Sequence, residues 1–276
     1  MIRDLVVNLT VTADRDVTAE FALSIAEAFQ AHVAGIAFAY EPVVAPTVVD
    51  GLSAAWIDTQ RNESLAAAQA AIERFETAAR RAGSSAEHRL LEASLGAAPT
   101  LFGCITRRFD LSVVGQTKPD GIVTDDLFIE AALFESGRPV IVVPYIQTRQ
   151  LKLERILVCW DAGRSAARAV GDAMPFLQRS KYVQIVTVSD GRQHDDEIPG
   201  ADIGEHLARH GLKVELKQLV AGDIDVTNAI LSHAADCAAD FIVMGGYGHT
   251  RIREFVFGGT TLGMLRSMTV PTLMSH

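Results

Sequence analysis

Two stretches decide the fold: Asp110-Leu-Ser-Val-Val-Gly115 and Asp240-Phe-Ile-Val-Met-Gly245. Each opens on Asp, runs through apolar and β-branched residues and stops on Gly. That is the pattern of a short strand buried on both faces. They lie 130 residues apart. A second pair keeps nearly the same offset: Arg138-Pro-Val-Ile-Val-Val-Pro144 and Val270-Pro-Thr-Leu-Met274, with Pro139 and Pro271 132 residues apart. A register held this closely marks an internal repeat.

Working outward, the same strand–helix order is read twice. In the first copy Ile2–Leu9 and His32–Tyr40 read as strands, with Ala22, Ile25, Ala26 and Phe29 at helical spacing between them. Leu65, Ala68, Ile72, Phe75 and Ala79 mark a long helix ended by Gly83. Glu87–Ala93 is a strand, Pro99–Arg108 a short helix and Leu127–Ser136 another. In the second copy Ile156–Trp160, Val183–Val188 and Lys213–Leu219 are strands. Ser165–Leu177, Asp202–His210, Asp225–Ala238 and Thr261–Ser267 are helices. Alternation of this kind predicts an α/β fold of two tandem, doubly wound, Rossmann-like five-stranded parallel sheets. The expected domains are residues 1–147 and 151–276, joined by the polar stretch Tyr145–Leu153.

The composition narrows the function. The chain has 276 residues, 49% hydrophobic and 21% charged, which is enough apolar material for real cores. Its net charge of −9, with the excess mostly in the first half, argues against sequence-independent nucleic-acid binding. The apolar runs are too short to span a membrane, and the start, Met-Ile-Arg-Asp-Leu-Val-Val, reads as a strand rather than a signal peptide. Cys104, Cys159 and Cys237 form no framework, so a reducing, cytoplasmic setting is expected.

The chemistry concentrates in Met244-Gly-Gly-Tyr-Gly-His-Thr-Arg-Ile-Arg-Glu-Phe-Val-Phe-Gly-Gly-Thr-Thr261. Gly245 and Gly248 let the main chain turn and come close to a ligand. Gly258 and Gly259 expose amides just before a helix start, where Thr260 and Thr261 add hydroxyls. Free amides, a helix N-terminus and hydroxyls suit a phosphate, although either Thr could serve as an ordinary N-cap and isolated glycines are common in plain turns.

With this spacing the chain resembles the universal stress protein family. Its nucleotide-binding members carry Gly-x2-Gly-x9-Gly-[Ser/Thr] between the fourth strand and the last helix. Here Gly245-x2-Gly248-x9-Gly258 meets the spacing, and Gly259 stands where the family has Ser or Thr, so Thr260 or Thr261 must supply the hydroxyl. The resemblance covers both copies and implies the adenine nucleotide alpha hydrolase-like arrangement. It implies ATP or another adenine nucleotide as ligand, with Mg²⁺ as a possible companion. It also matches Asp161, in Ile156-Leu-Val-Cys-Trp-Asp161-Ala-Gly163, to the family's nucleoside contact, and Val188 and Met244 to strand ends lining the pocket. Pairing through last strands, common in the family, implies an internal pseudo-dimer here, and further homodimerisation is an expectation on the same ground. No protein partner can be read.

The first copy lacks these features. Gly115 is followed by Gln-Thr-Lys118-Pro119, Asp125 and Asp126 sit where the glycine pair belongs, and no Asp directly follows Val7-Asn-Leu-Thr-Val11. Carboxylates there would repel phosphate, so only the second copy is expected to bind nucleotide. His249, Arg251 and Arg253 are further phosphate contacts or solvated loop residues; Tyr247 reads as packing. His206 and His210, with His194, Asp195 or Asp196, have Zn²⁺ spacing, but such a pair on a helix is usually a solvated face, so no metal site is assigned. No Walker A lysine and no poised catalytic base occur. The expectation is a ligand-linked regulator of the stress response with no catalytic residues. A nucleotide-free scaffold, or a slow ATPase using Asp161 or Glu254, are the alternatives.

Overall fold

The computed structural model describes residues 1–42, 54–118, 124–189, 200–221, 225–246 and 259–276. The first half runs β1 (Asp4–Asn8), α1 (Val17–Phe29), β2 (His32–Tyr40), α2 (Ala54–Ala82), β3 (Ala86–Ala93), α3 (Ala97–Thr106), β4 (Leu111–Gly115), α4 (Thr124–Phe134) and β5 (Val140–Val143). The second half repeats the series: β6 (Arg155–Cys159), α5 (Arg164–Leu177), β7 (Tyr182–Ser189), α6 (Ala201–Arg209), β8 (Val214–Val220), α7 (Val226–Asp236), β9 (Phe241–Gly245), α8 (Gly259–Ser267) and β10 (Thr272–Ser275). Gly83, which ends α2, has φ +62°, the left-handed cap that glycine adopts without strain.

The strands among the described residues join one ten-stranded sheet of order β3-β2-β1-β4-β5-β10-β9-β6-β7-β8. Each half is parallel within itself, and the seam between β5 and β10 is antiparallel, with Leu273 opposite Ile141. The two expected five-stranded sheets are thus fused edge to edge through their last strands. Val140–Val143 and Thr272–Ser275 are buried throughout, so the seam lies in the middle of the core rather than at its rim. Burial at both faces explains why Val140–Val143 is wholly apolar, while β10 sets Thr272 and Ser275 either side of Leu273 and Met274.

The helices cover both faces, four on each among the described residues. On one, α1, α2, α5 and α6 cover a core that includes Phe21, Ile25, Ile72 and Phe176; on the other, α3, α4, α7 and α8 cover Phe102, Phe128, Ile230 and Met264. The halves meet again between α1 and α5, where the rings of Phe29 and Phe176 are edge to face at 4.9 Å. Phe176 also stacks on Phe241 at 5.2 Å, and the Arg179 guanidinium sits 4.1 Å over Phe29. The outer strands β3 and β8 are largely exposed and carry Glu87, Arg89, Glu215 and Lys217, charges that discourage edge pairing with another sheet.

Candidate functional site

In each half the strand order reverses beside the first strand. β6 has β7 on one side and β9 on the other, and that crevice, beyond the carboxyl ends, is where open α/β sheets take ligands. The loop after β6 and the end of β9 therefore come together for topological reasons. The loop opens at Trp160, whose amide donates to Val186 O at 2.8 Å and ties it to β7.

Asp161 follows and is exposed. Its Oδ1 accepts the Gly163 amide at 2.8 Å, an Asx turn leading into α5. Between the two, Ala162 has φ +57°. The other non-glycine residues described with positive φ are Gln30 and Ala238, which follow α1 and α7 where left-handed caps are ordinary. Ala162 follows a strand instead, and its conformation costs about 1–2 kcal/mol.

Gly245 packs against the residues just after this turn. A Cβ there would stand 2.6 Å from Ala166 N and 2.7 Å from the Ser165 carbonyl carbon, so the missing side chain admits the first turn of α5. The close approach expected for a ligand is at least partly an approach to protein backbone. In the first half a Cβ on Gly115 would meet Thr18 Oγ1 at 2.8 Å, the same packing repeated.

The remaining expected residues divide as follows. Met244 is buried and its side chain packs in the core, and Val188 is half-buried on β7 opposite Leu219. Gly259 is the first residue of α8, two positions earlier than the sequence pattern suggests; it is exposed, with open space where a Cβ would project. Thr260 offers its carbonyl to Thr227 Oγ1 at 3.3 Å, and Thr261 is buried. Gly248, His249 and Gly258 lie outside the described residues, as do Tyr247, Arg251, Arg253 and Glu254. So do His194, Asp195 and Asp196; His206 and His210 lie on α6 with ring centroids 4.8 Å apart.

In the corresponding corner of the first half two side chains bond to each other. Thr117 Oγ1 donates to Asp126 Oδ1 at 2.6 Å, joining the segment after β4 to the start of α4. Asp16, nearly fully buried, caps α1 by accepting the Thr18 and Ala19 amides at 3.1 and 3.0 Å, and it also takes the Thr10 amide at 2.7 Å. Burial pushes its carboxyl above the usual range. Sequence reasoning missed Asp16, although an Asp just before an apolar helical run is a capping signal. Beside the second-half crevice, burial, and then the Asp161 charge, push the Cys159 thiol up to about 12, so it stays protonated and is no nucleophile.

Residues 152–276 match the sequence pattern of the Universal stress protein family. A curated universal stress protein from Synechocystis is 31% identical over 143 residues, covering 49% of this chain and 46% of that protein, so the chain spans about half the length of the relative. The second half of this chain is similar to the universal stress protein family. The whole chain also shares its fold with solved proteins. A universal stress protein from Archaeoglobus fulgidus aligns over 99% of this chain and 97% of its own, with a TM-score of 0.69 at 18% identity. A functionally unknown protein from Pseudomonas aeruginosa PAO1 aligns over 99% and 92%, with a TM-score of 0.62 at 13% identity. The fold shared with these proteins thus extends over both halves. Among the described residues no helix is long and apolar enough to cross a membrane, and no three His, Cys, Asp or Glu side chains group as a metal site.

Proposed function

We propose that residues 151–276 form a domain that binds ATP or a related adenine nucleotide, and that residues 1–147 form a domain that does not. The observation that carries this reading is the strained Asp161-Ala162-Gly163 turn at the sheet's switch point, which leads into the first turn of α5, itself packed on Gly245. A non-glycine residue held at positive φ outside a helix cap is maintained against a cost, and such strain concentrates at functional sites. The residues present fit a nucleotide. Asp161 keeps an exposed carboxylate for a ribose or amine donor, and α8 begins at an exposed glycine with free space around it.

In this reading Asp161 orients the nucleoside and the Gly245–Thr261 segment, including Gly248, His249 and Gly258, receives the phosphates, with Mg²⁺ as their counter-ion. In the first domain Thr117 and Asp126 fill the equivalent place and put a carboxylate where a phosphate would sit. The nucleotide acts as a signal that changes the exposed surface around α8. The protein works in the cytoplasm as a homodimer, and its acidic surface keeps it from nucleic acid.

Native mass spectrometry and calorimetry on the full chain test this. One adenine nucleotide per chain, lost in Gly248→Val, is expected. A bare mass with no heat on adding ATP would leave a scaffold protein. Magnesium-dependent phosphate release that disappears in Asp161→Ala would make it a slow ATPase.

A further inference from the structure

The two halves exchange contacts close to the proposed site. Gln116 and Gly246 are counterparts, each following the glycine that ends its strand. Their amides bond back to the adjacent last strands, Gln116 N to Val143 O and Gly246 N to Ser275 O, both at 2.8 Å. Beyond that they reach across the seam. Gln116, 5% exposed, donates Nε2 to Leu265 O of α8 at 2.8 Å, and its Oε1 accepts the Tyr145 amide at 3.3 Å. A carbonyl on one side and an N–H on the other fix which way the amide faces.

Leu265 O is one of the last carbonyls of α8, which have no partner within the helix. Gln116 therefore holds the far end of the helix whose first residues are Gly259–Thr261. The other anchor is Gly246. A Cβ there would stand 2.6 Å from Leu133 Cδ2 of α4, and its carbonyl lies 3.1 Å from His276 Nδ1. The His276 ring in turn sits edge to face with Phe134 at 5.0 Å.

We infer that the first half is a brace for the second: Gln116 fixes α8 and Leu133 with Phe134 fixes Gly246, as positioning residues for the nucleotide site. This rests on the reading of the second half as that site. It gives the first half a role that needs no nucleotide of its own, because what it contributes is the placement of the two elements flanking the glycine segment.

The test uses the full chain with Gln116→Leu, Leu133→Ala and, as a control, Phe102→Leu, a core change on α3 inside the first half. ATP dissociation constants are measured by calorimetry and melting temperatures without ligand. Loss of the Gln116 bonds is expected to weaken ATP binding roughly tenfold. Leu133→Ala is expected to weaken it as well, while Phe102→Leu lowers the melting temperature and leaves the constant unchanged. Wild-type affinity in Gln116→Leu, or equal weakening in Phe102→Leu, overturns the brace. Should the wild-type chain bind no ATP, the nucleotide reading fails on its own and hydrogen exchange decides the brace. Faster exchange of the α8 amides in Gln116→Leu but not in Phe102→Leu supports it, and unchanged exchange in Gln116→Leu overturns it.

Discussion

Gly245 and Ala166 touch through main chain: a Cβ on the glycine would lie 2.6 Å from the Ala166 nitrogen. The end of β9 and the first turn of α5 are therefore packed as closely as backbone allows. The proposed site is built on that contact.

Gly245→Ala is expected to destabilise the chain by about 3 kcal/mol, the upper range for overpacking, because backbone cannot swing aside as a side-chain tip can. Urea unfolding of the two proteins measures this. A change of less than about 0.5 kcal/mol would mean that α5 yields freely.

Relief of strain at Ala162 has the opposite sign. Glycine adopts φ +57° without the Cβ penalty but adds freedom to the unfolded chain, leaving a net gain of roughly 0.5–1 kcal/mol for Ala162→Gly. The same change loosens the Asp161 turn, so ATP binding should weaken while the melting temperature rises. Tighter binding in the more stable variant would show that the strain has nothing to do with the ligand.

Gly259 is the reverse of Gly245, since a Cβ there meets nothing within 4 Å. Gly259→Ser should fold at least as well as wild type, with a gain of up to about 1 kcal/mol from replacing glycine at a helix start. It also restores the hydroxyl of the family pattern, and a several-fold tighter ATP dissociation constant by calorimetry is expected. Unchanged affinity would mean that Thr260 or Thr261 already supplies that contact.

His233 gives the fold a pH dependence. Its Nε2 lies 2.6 Å from Oε1 of the buried Gln184. Burial first, then Lys217 and Arg155, pull its pKa below the usual 6.5, against the opposing charges of Asp236 and Glu215. The unfolded chain thus binds this proton more readily than the folded one, so the contribution is present above pH 6.5 and lost as pH falls from there through the lower folded value. Urea midpoints should drop between pH 7 and 5 in the wild type and less in His233→Gln. Equal slopes would reject the assignment.

The element order was legible because strands buried on both faces must be apolar and helices covering them must repeat every three to four residues. His32–Tyr40 was read to the residue. Boundaries slipped where side chains do not mark them: α8 begins at Gly259, a residue that reads as loop, and α2 reaches back to Ala54 across the polar stretch Asp58–Glu63, which interrupts the apolar spacing. In the first half Asp126 reads from sequence as an unfavourable charge, but its bond to Thr117 depends on a fold that brings the segment after β4 against α4.

The sequence by itself determined the repeat, the α/β class and the glycine spacing, because each depends on residues near one another along the chain. Pairing through the last strands was implied by the family resemblance, and only the tertiary structure decided its form, an antiparallel seam with Leu273 opposite Ile141. Val140–Val143 and the Leu273-Met274 pair of β10 are apolar whether two sheets stay separate or fuse, and hydrogen bonding between edges made them one sheet of ten strands. The strain at Ala162 and the reach of Gln116 to Leu265 were likewise invisible. One is a dihedral set by a neighbouring turn. The other joins residues 149 apart, a proximity that exists only once the fold is complete.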